Sequence, residues 1–341
     1  MTDAPPAFAH ALAAVEGDGC MDMDQAETAM RCVMRGQVPD QELARWLGAM
    51  ALRVPTQQEL IGFVKAFLAD MVRVPCATPP ERILDTCGTG GAPKVFNAST
   101  LAGLVAAAAG SPCAKHGNRS RTGFGSAETM ATLGVDLDAS PERQAQSLDT
   151  HGFCFCMAPR HHPGAAHAAA VRRAMAVPTV FNVVGPLVNP AGALRQVVGV
   201  WDERLLQPVA GALAAMGAVQ AMVLHSMDGL DEVSVSAPTR FVRVERGSVV
   251  EEGRLDPALF RLPTHTAVPE RCHDLAHAVS VATALLEGRE RGARRDMLVA
   301  NAAVSLVVSG HRLSWADAAG LARDTLDSRR AADLLVRLTW R

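Results

Sequence analysis

From about residue 80 onward, short apolar runs alternate with longer stretches of helical spacing, and this alternation limits the fold more than any other feature. The short runs are Arg82–Asp85, Pro112–Ala114, Phe153–Met157, Gln196–Trp201 and Ala221–His225. Helical patterns lie between them at Ser99–Ala109, Ser126–Leu133, Pro141–Thr150, Ala165–Met175 and Arg204–Met216. Strands joined by crossovers of helical length pair in parallel, so the pattern predicts a largely parallel sheet with helices on its faces. After residue 230, the runs Val233–Val235, Phe241–Val244 and Ser248–Val250 read as a β insertion. Helical spacing then returns from about Asp274 to Leu338.

Residues 21 to 73 carry no strand pattern and read as helices with clear punctuation. Asp24 with Glu27, and Thr56 with Glu59, fit the capping box of a short acceptor followed three residues later by a carboxylate. Gly36 stops one helix and Asp40 caps the next. Leu60, Val64, Phe67 and Met71 recur at helical spacing, and Ile61, Phe63 and Leu68 widen the stripe until it implies a buried helix or a subunit contact. The expected fold class is therefore α/β: a small N-terminal all-α domain over residues 1–75, then a larger, mostly parallel α/β domain over residues 80–341.

Composition excludes several functions. Lys plus Arg number 33 against 35 Asp plus Glu, and aromatic residues make up 4% with no Tyr, so neither a cationic footprint nor a base-stacking surface marks a nucleic-acid binder. The apolar run Leu101–Ala109 is far short of the ~20 residues that span a bilayer, and the N-terminus does not read as a signal peptide. The eight cysteines are scattered without Cys-x-x-Cys spacing, and Cys154 and Cys156 share one strand face, where they are poorly placed to bridge. Free thiols and a cytoplasmic location are expected.

Three loops carry chemistry. Leu84-Asp-Thr-Cys-Gly-Thr-Gly-Gly-Ala-Pro-Lys-Val-Phe-Asn-Ala-Ser-Thr100 runs from a strand's end through Gly88, Gly90 and Gly91 into a helix start. Unpaired amides, the helix dipole and a backbone free of side chains make an anion site there, suited to phosphate. It is neither a Walker loop nor a dinucleotide fingerprint. Lys115 to Gly123 follows a second strand with Lys115, His116, Arg119 and Arg121, a set that suits a polyanion. Asp228-Gly-Leu-Asp231-Glu232 follows a third, where adjacent carboxylates fit Mg2+, an ion that takes one or two carboxylates plus substrate phosphate oxygens. His161, His162 and His167 lack zinc-ligand spacing and point to a structural or substrate-pocket role.

These motifs, with Ala158-Pro-x-x-His-Pro163, Val171-Arg-Arg173 and Phe181-Asn-x-x-Gly-Pro-Leu-x-Asn-Pro-Ala191, resemble the anthranilate phosphoribosyltransferase family nearly end to end. That family shares its fold with the pyrimidine nucleoside phosphorylases. The resemblance implies a cytoplasmic, homodimeric, Mg2+-dependent transferase that moves the phosphoribosyl group of phosphoribosyl pyrophosphate (PRPP) to the amine of anthranilate in tryptophan synthesis. It implies PRPP contacts by Gly88, Thr89, Gly90, Gly91, Lys94, Asn97, Ser99, Thr100, Lys115 and Arg121. It implies an acceptor site of Gly88, His116, Asn118 and Arg172, with Arg172 pairing the acceptor's carboxylate, and a metal site of Asp231, Glu232 and Ser99. No side chain is implied as acid or base. The homodimer would join through the helical unit, near Leu60–Met71.

Two loops depart from the family pattern. The first is one residue shorter, with Ala92 in place of an acidic residue and Lys94 close by. The second is also one residue shorter, lacks a serine pair and gains Arg121, and Met157 replaces a usual Phe. The expectation is that Lys94 and Arg121 supply charge that a second metal would otherwise bring, weakening the dependence on Mg2+. Alternative readings are a paralogue using another aromatic amine, a nucleoside phosphorylase, and a non-enzymatic nucleic-acid-binding paralogue. The acid pair and the net charge of −2 oppose the last.

Overall fold

The computed structural model describes residues 4–17, 19–120, 123–175 and 177–339. Four helices come first: α1 (Pro6–Glu16), α2 (Met23–Met34), α3 (Asp40–Ala51) and α4 (Gln57–Ala69). Helix α1 precedes the expected helical block, yet Phe8, Ala11, Leu12 and Val15 recur on one buried face of it. The box at the start of α2 is built by Asp22 and Gln25, not by Asp24 and Glu27. Asp24 lies in the first turn, where its charge favours the helix dipole, and Glu27 pairs with Arg31 at 2.7 Å. The Thr56–Glu59 box forms as expected, the Thr56 N–H donating to Glu59 Oε2 at 2.8 Å. Gly36 follows α2 with φ +68. Asp40 is the first helical residue after Pro39 and its side chain caps nothing.

Most of the α4 stripe is consumed within the chain. Leu60, Phe63, Val64 and Phe67 are each at most 4% exposed, and α4 packs on α2 and on a helix of the α/β unit. The buried-helix reading holds for these four positions, while Ile61, Leu68 and Met71 stay half-buried.

Beyond a 3-10 turn at Pro80–Arg82, the α/β unit runs β1 (Leu84–Gly88), α5 (Ala98–Ala108), β2 (Cys113–Gly117), α6 (Ser126–Thr132), α7 (Pro141–His151), β3 (Phe153–Met157), α8 (Ala158–His161), α9 (Ala169–Ala174), α10 (Val180–Val184), β4 (Arg195–Gly199), α11 (Leu206–Ala215) and β5 (Gln220–Ser226). It ends with β6 (Thr239–Glu245), β7 (Ser248–Leu255), α12 (Leu275–Leu286), α13 (Ala293–Val308), α14 (Trp315–Asp327) and α15 (Arg330–Leu338). The sheet order is β3-β2-β1-β4-β5-β6-β7. Strands β1 to β5 are parallel, and β6 and β7 extend the same sheet antiparallel. The supposed β insertion is thus part of the main sheet. Val233–Val235 is not a strand: it is a buried connection whose polar backbone finds a side-chain partner instead of a ladder. Strands β1 and β2 run three residues past their apolar pattern, because parallel neighbours pair Gly88 with Gly199 and Gly117 with Met157. The single helix expected at Ala165–Met175 is a 3-10 turn, Pro163–Ala168, followed by α9.

One apolar core lies between the sheet and α5, α12, α13 and α14. On the opposite face, Phe8, Trp46, Phe63 and Phe67 of the N-terminal helices share a core with Val184, Val198, Val209 and Val223. The chain leaves β1 toward β2 on one side and returns to β4 on the other. The carboxyl ends of β1 and β4 therefore flank a topological switch point, where open α/β sheets bind ligands. All eight cysteines are free, with Cys154 and Cys156 sulfurs 3.8 Å apart. Among the described residues no helix is long and apolar enough to cross a membrane.

Candidate active site

At the switch point the glycine loop and the acid pair meet. Gly88 closes β1 opposite Gly199. A methyl group on Gly88 would approach Asp231 Oδ2 to 2.6 Å, and one on Gly199 would overlap the Asp231 carbonyl oxygen. Only bare backbone lets the Asp228–Glu232 turn lie across both strand ends. Gly90 and Gly91 take φ +63 and +93, so the turn between β1 and α5 uses the left-handed region. Thr89 closes that turn onto β4, its N–H donating to the Gly199 carbonyl at 2.8 Å while its Oγ1 accepts from the Trp201 N–H at 3.2 Å.

Glu232 faces the start of α5, its Oε1 3.4 Å from the Ser99 N–H. Both carboxylates are buried, and burial raises both above the usual carboxylate range. Loss of water, then the like charge of Asp231, pushes Glu232 up to about 8. The Lys94 ammonium is the leading opposing charge for both. A small cavity of about 10 Å³ beneath the pair is lined by Thr86, Ser99, Asn301 and Ser305 among others. A larger concavity of about 410 Å³ is lined by α1 and α3 with Leu52 and Arg53, and includes none of these loops.

Other expected phosphate contacts have protein partners in this conformation. Asn97 Nδ2 donates to Thr129 Oγ1 at 2.8 Å. Lys115 is 3% exposed, and its Nζ donates to the His116 carbonyl at 2.8 Å while its charge acts on buried Asp85. Thr100 Oγ1 is buried without a hydrogen-bond partner among the described residues. Asn118 is exposed and accepts from the Arg119 N–H at 2.8 Å. Arg121 lies outside the described residues.

Behind the second loop runs a row of rings. His116 and His162 centroids are 5.2 Å apart, His162 and Phe67 5.5 Å, and Phe67 and Phe181 5.7 Å. The Arg172 guanidinium stacks 4.6 Å over Phe181. His116 Nδ1 bonds the Gly185 carbonyl and His162 Nε2 the Val188 carbonyl, so each ring nitrogen facing a carbonyl carries the hydrogen. The remaining nitrogens, His116 Nε2 and His162 Nδ1, are buried without a partner among the described residues. Burial holds both rings neutral, pushing His162 down to about 4. Arg172 makes no hydrogen bond or ion pair among the described residues, its Nε is buried, and desolvation lowers it to about 10.

Several positions that shape the site were not singled out from sequence. Asn182 Nδ2 donates to the Thr89 carbonyl at 3.1 Å, tying the Phe181-Asn motif to the glycine loop. Asn189 Nδ2 bridges Asp85 Oδ2 and the Ala114 carbonyl, each at 2.8 Å, which locks the Gly-Pro-Leu motif across β1 and β2. Asn301 of α13 grips Val233, next to Glu232. Both earlier asparagines lie inside quoted motifs, and Asn301 is a polar residue in an otherwise apolar helix run, Met297–Val304.

Residues 80–332 match the α/β-domain model of a glycosyl transferase family, and residues 19–71 match the helical bundle domain model of the same family. The anthranilate phosphoribosyltransferase of Pyrobaculum calidifontis is 42% identical over 323 residues, covering 94% of this chain and 95% of that protein. That of Rubrobacter xylanophilus is 39% identical over 315 residues, covering 92% and 91%. The crystal structure of the Thermus thermophilus anthranilate phosphoribosyltransferase superposes with a TM-score of 0.88 at 34% identity, covering 98% of each chain. The Saccharomyces cerevisiae enzyme in complex with PRPP and Mg shares the fold, with a TM-score of 0.85 at 22% identity over 97% of this chain and 96% of that one.

Proposed function

The chain belongs to the anthranilate phosphoribosyltransferase family, and on that premise we propose that it transfers the phosphoribosyl group of PRPP to the amine of anthranilate and releases pyrophosphate. The observation that carries the acceptor is Arg172. A desolvated guanidinium with no acidic partner among the described residues is costly to keep, and a bound carboxylate relieves that cost through a paired, planar contact. Its stacking on Phe181 also offers an apolar face beside the charge, which suits a benzoate.

The amide groups of the Gly88–Thr100 loop and the first turn of α5 hold the pyrophosphate, with Lys94 adding charge at its edge. The acid pair fits Mg2+: it offers two adjacent hard oxygen donors whose burial, and then mutual repulsion, lift Glu232 to about 8, a cost that a bound divalent cation relieves. When bound, Mg2+ supplies charge neutralisation to the departing pyrophosphate. The bond from ribose C1 to the pyrophosphate oxygen breaks as the acceptor nitrogen bonds to C1, and the nitrogen then loses its proton. The protein contributes position and electrostatics, not covalent chemistry. Gly88, Asn118 and Arg172 orient the acceptor, and the neutral, buried His116 ring backs that site. Lys115 and Asn97 join the PRPP contacts by exchanging their present protein partners, and Arg121 belongs to the same set.

A homodimer joined through the helical unit and a cytoplasmic location complete the proposal. With most of the α4 stripe buried, the α1–α3 concavity and Leu52, 88% exposed, support the first, and eight free thiols support the second. The test is anthranilate fluorescence with PRPP and Mg2+, where consumption supports the reading. No consumption, with turnover of another aromatic amine in a panel, overturns the acceptor.

A further inference from the structure

Two carboxylates held side by side out of water repel each other, and an unsupported loop would let them swing apart. The connection from β5 to β6 is supported on two sides. On one, Asp228 Oδ2 accepts from Ser234 Oγ at 2.5 Å and Ser236 Oγ at 2.8 Å, closing the turn on itself. On the other, Asn301 reaches up from α13. Its Oδ1 accepts the Val233 N–H at 2.9 Å, and its Nδ2 donates to the Val233 carbonyl at 2.9 Å and to the Met297 carbonyl at 2.8 Å. The amide thus pairs with both polar backbone groups of one residue, as a neighbouring strand would, and its remaining hydrogen ties it to its own helix. Val233 is 0% exposed and Asn301 6%, so neither group can turn to water. Fixing the Val233 N–H fixes the peptide plane that joins it to Glu232, and with it the direction in which that carboxylate leaves the chain.

The residue type is informative. An Arg or Lys at this place would also hold the loop, but by neutralising the carboxylates it steadied. An amide carries no charge, so it fixes the backbone without adding to the charge with which Lys94 already opposes the carboxylates. Helix α13 also packs against α5, whose Ser99 N–H faces Glu232, so one helix sets both sides of the gap.

We propose that Asn301 is a positioning residue for the metal site, holding Asp231 and Glu232 in a two-carboxylate bite through its paired bonds to Val233. This rests on the reading of the acid pair as that site. Partners that orient metal ligands contribute about 10–100-fold to metal affinity, so Asn301→Ala should weaken divalent-ion binding by at least about tenfold.

The test titrates the full-length protein with Mn2+, following the free ion by electron paramagnetic resonance, with and without PRPP. Asn301→Ser, which keeps one polar contact, guards against misfolding of the alanine variant. Val304→Ala, a buried apolar truncation in the same helix, controls for lost stability. The expected result is weaker Mn2+ binding in both Asn301 variants, unchanged Mn2+ binding in Val304→Ala at a comparable melting temperature, and no change in the acceptor KM. Equal Mn2+ binding in wild type and the Asn301 variants overturns the inference while leaving the metal site intact. Wild-type binding that Asp231→Ala with Glu232→Ala does not diminish overturns the metal site itself, and the inference with it.

Discussion

His162 gives the sharpest quantitative prediction. Burial lowers its imidazole from 6.5 to about 4, so between those pH values the unfolded chain binds a proton that the fold refuses. A base lowered by folding contributes stability that is complete above pH 6.5 and is lost as the pH falls toward 4. The gap of about 2.5 pH units, at about 1.36 kcal/mol each, amounts to roughly 3 kcal/mol from this ring alone. His116 and His161, also lowered by burial, add to the same acid lability. His162→Gln keeps an N–H donor for the Val188 carbonyl and removes the titration. It should be less stable than wild type at pH 7.5, by about 1–3 kcal/mol for the lost packing against Phe67 and His116. By pH 4.5 the variant should have gained roughly 2.5 kcal/mol on the wild type, closing or reversing that difference, because unfolding of the variant no longer takes up this proton. Urea denaturation followed by circular dichroism at half-unit pH intervals measures it. Parallel stability curves for the two proteins across this window would refute this account of the ring.

Gly199→Ala should cost roughly 3 kcal/mol and abolish the divalent-ion response, because its methyl group overlaps a backbone oxygen that cannot swing aside; a variant with normal melting and Mg2+ profiles would show that the strand ends can part. Lys94→Ala should make activity depend more steeply on Mg2+, since the charge Lys94 lends to the pyrophosphate must then come from the metal, while Mn2+ binding to the acid pair itself tightens because the leading opposing charge on Asp231 and Glu232 is gone. An unchanged metal titration rules out a charge-supplying role. Arg172→Ala should raise the acceptor KM by about tenfold or more with the PRPP KM unchanged, as expected for one lost charge-assisted pair. A shift in both constants would place Arg172 elsewhere in the cycle.

Local pattern carried much of the architecture. β3 runs from Phe153 to Met157 as its apolar run does, Thr56 caps α4, and Asp274 caps the first of the closing helices. The two caps depend on contacts within a few residues, which spacing alone encodes, and β3 is buried along its whole length, so its apolar run marks both ends. Where two local solutions competed, spacing could not choose: Asp22 and Asp24 both precede an acceptable third residue, and only the geometry of entry to α2 selected Asp22. Strand ends were misjudged for a related reason. Thr86 and Cys87 lack a strong apolar pattern, but β4 lies alongside them and pairs their backbone.

The sequence by itself determined the alternation that makes the sheet, the three loops at strand ends and the residue types within them, because periodicity, glycine content and adjacent carboxylates are local properties of the chain. Tertiary structure alone decided that Arg172 has no acidic neighbour among the described residues, that most of the α4 stripe is covered by α2 and α11, and that Asn301 reaches the residue beside Glu232. Those facts depend on which distant segments meet, and isolation or satisfaction of a buried charge exists only once its whole surroundings are folded.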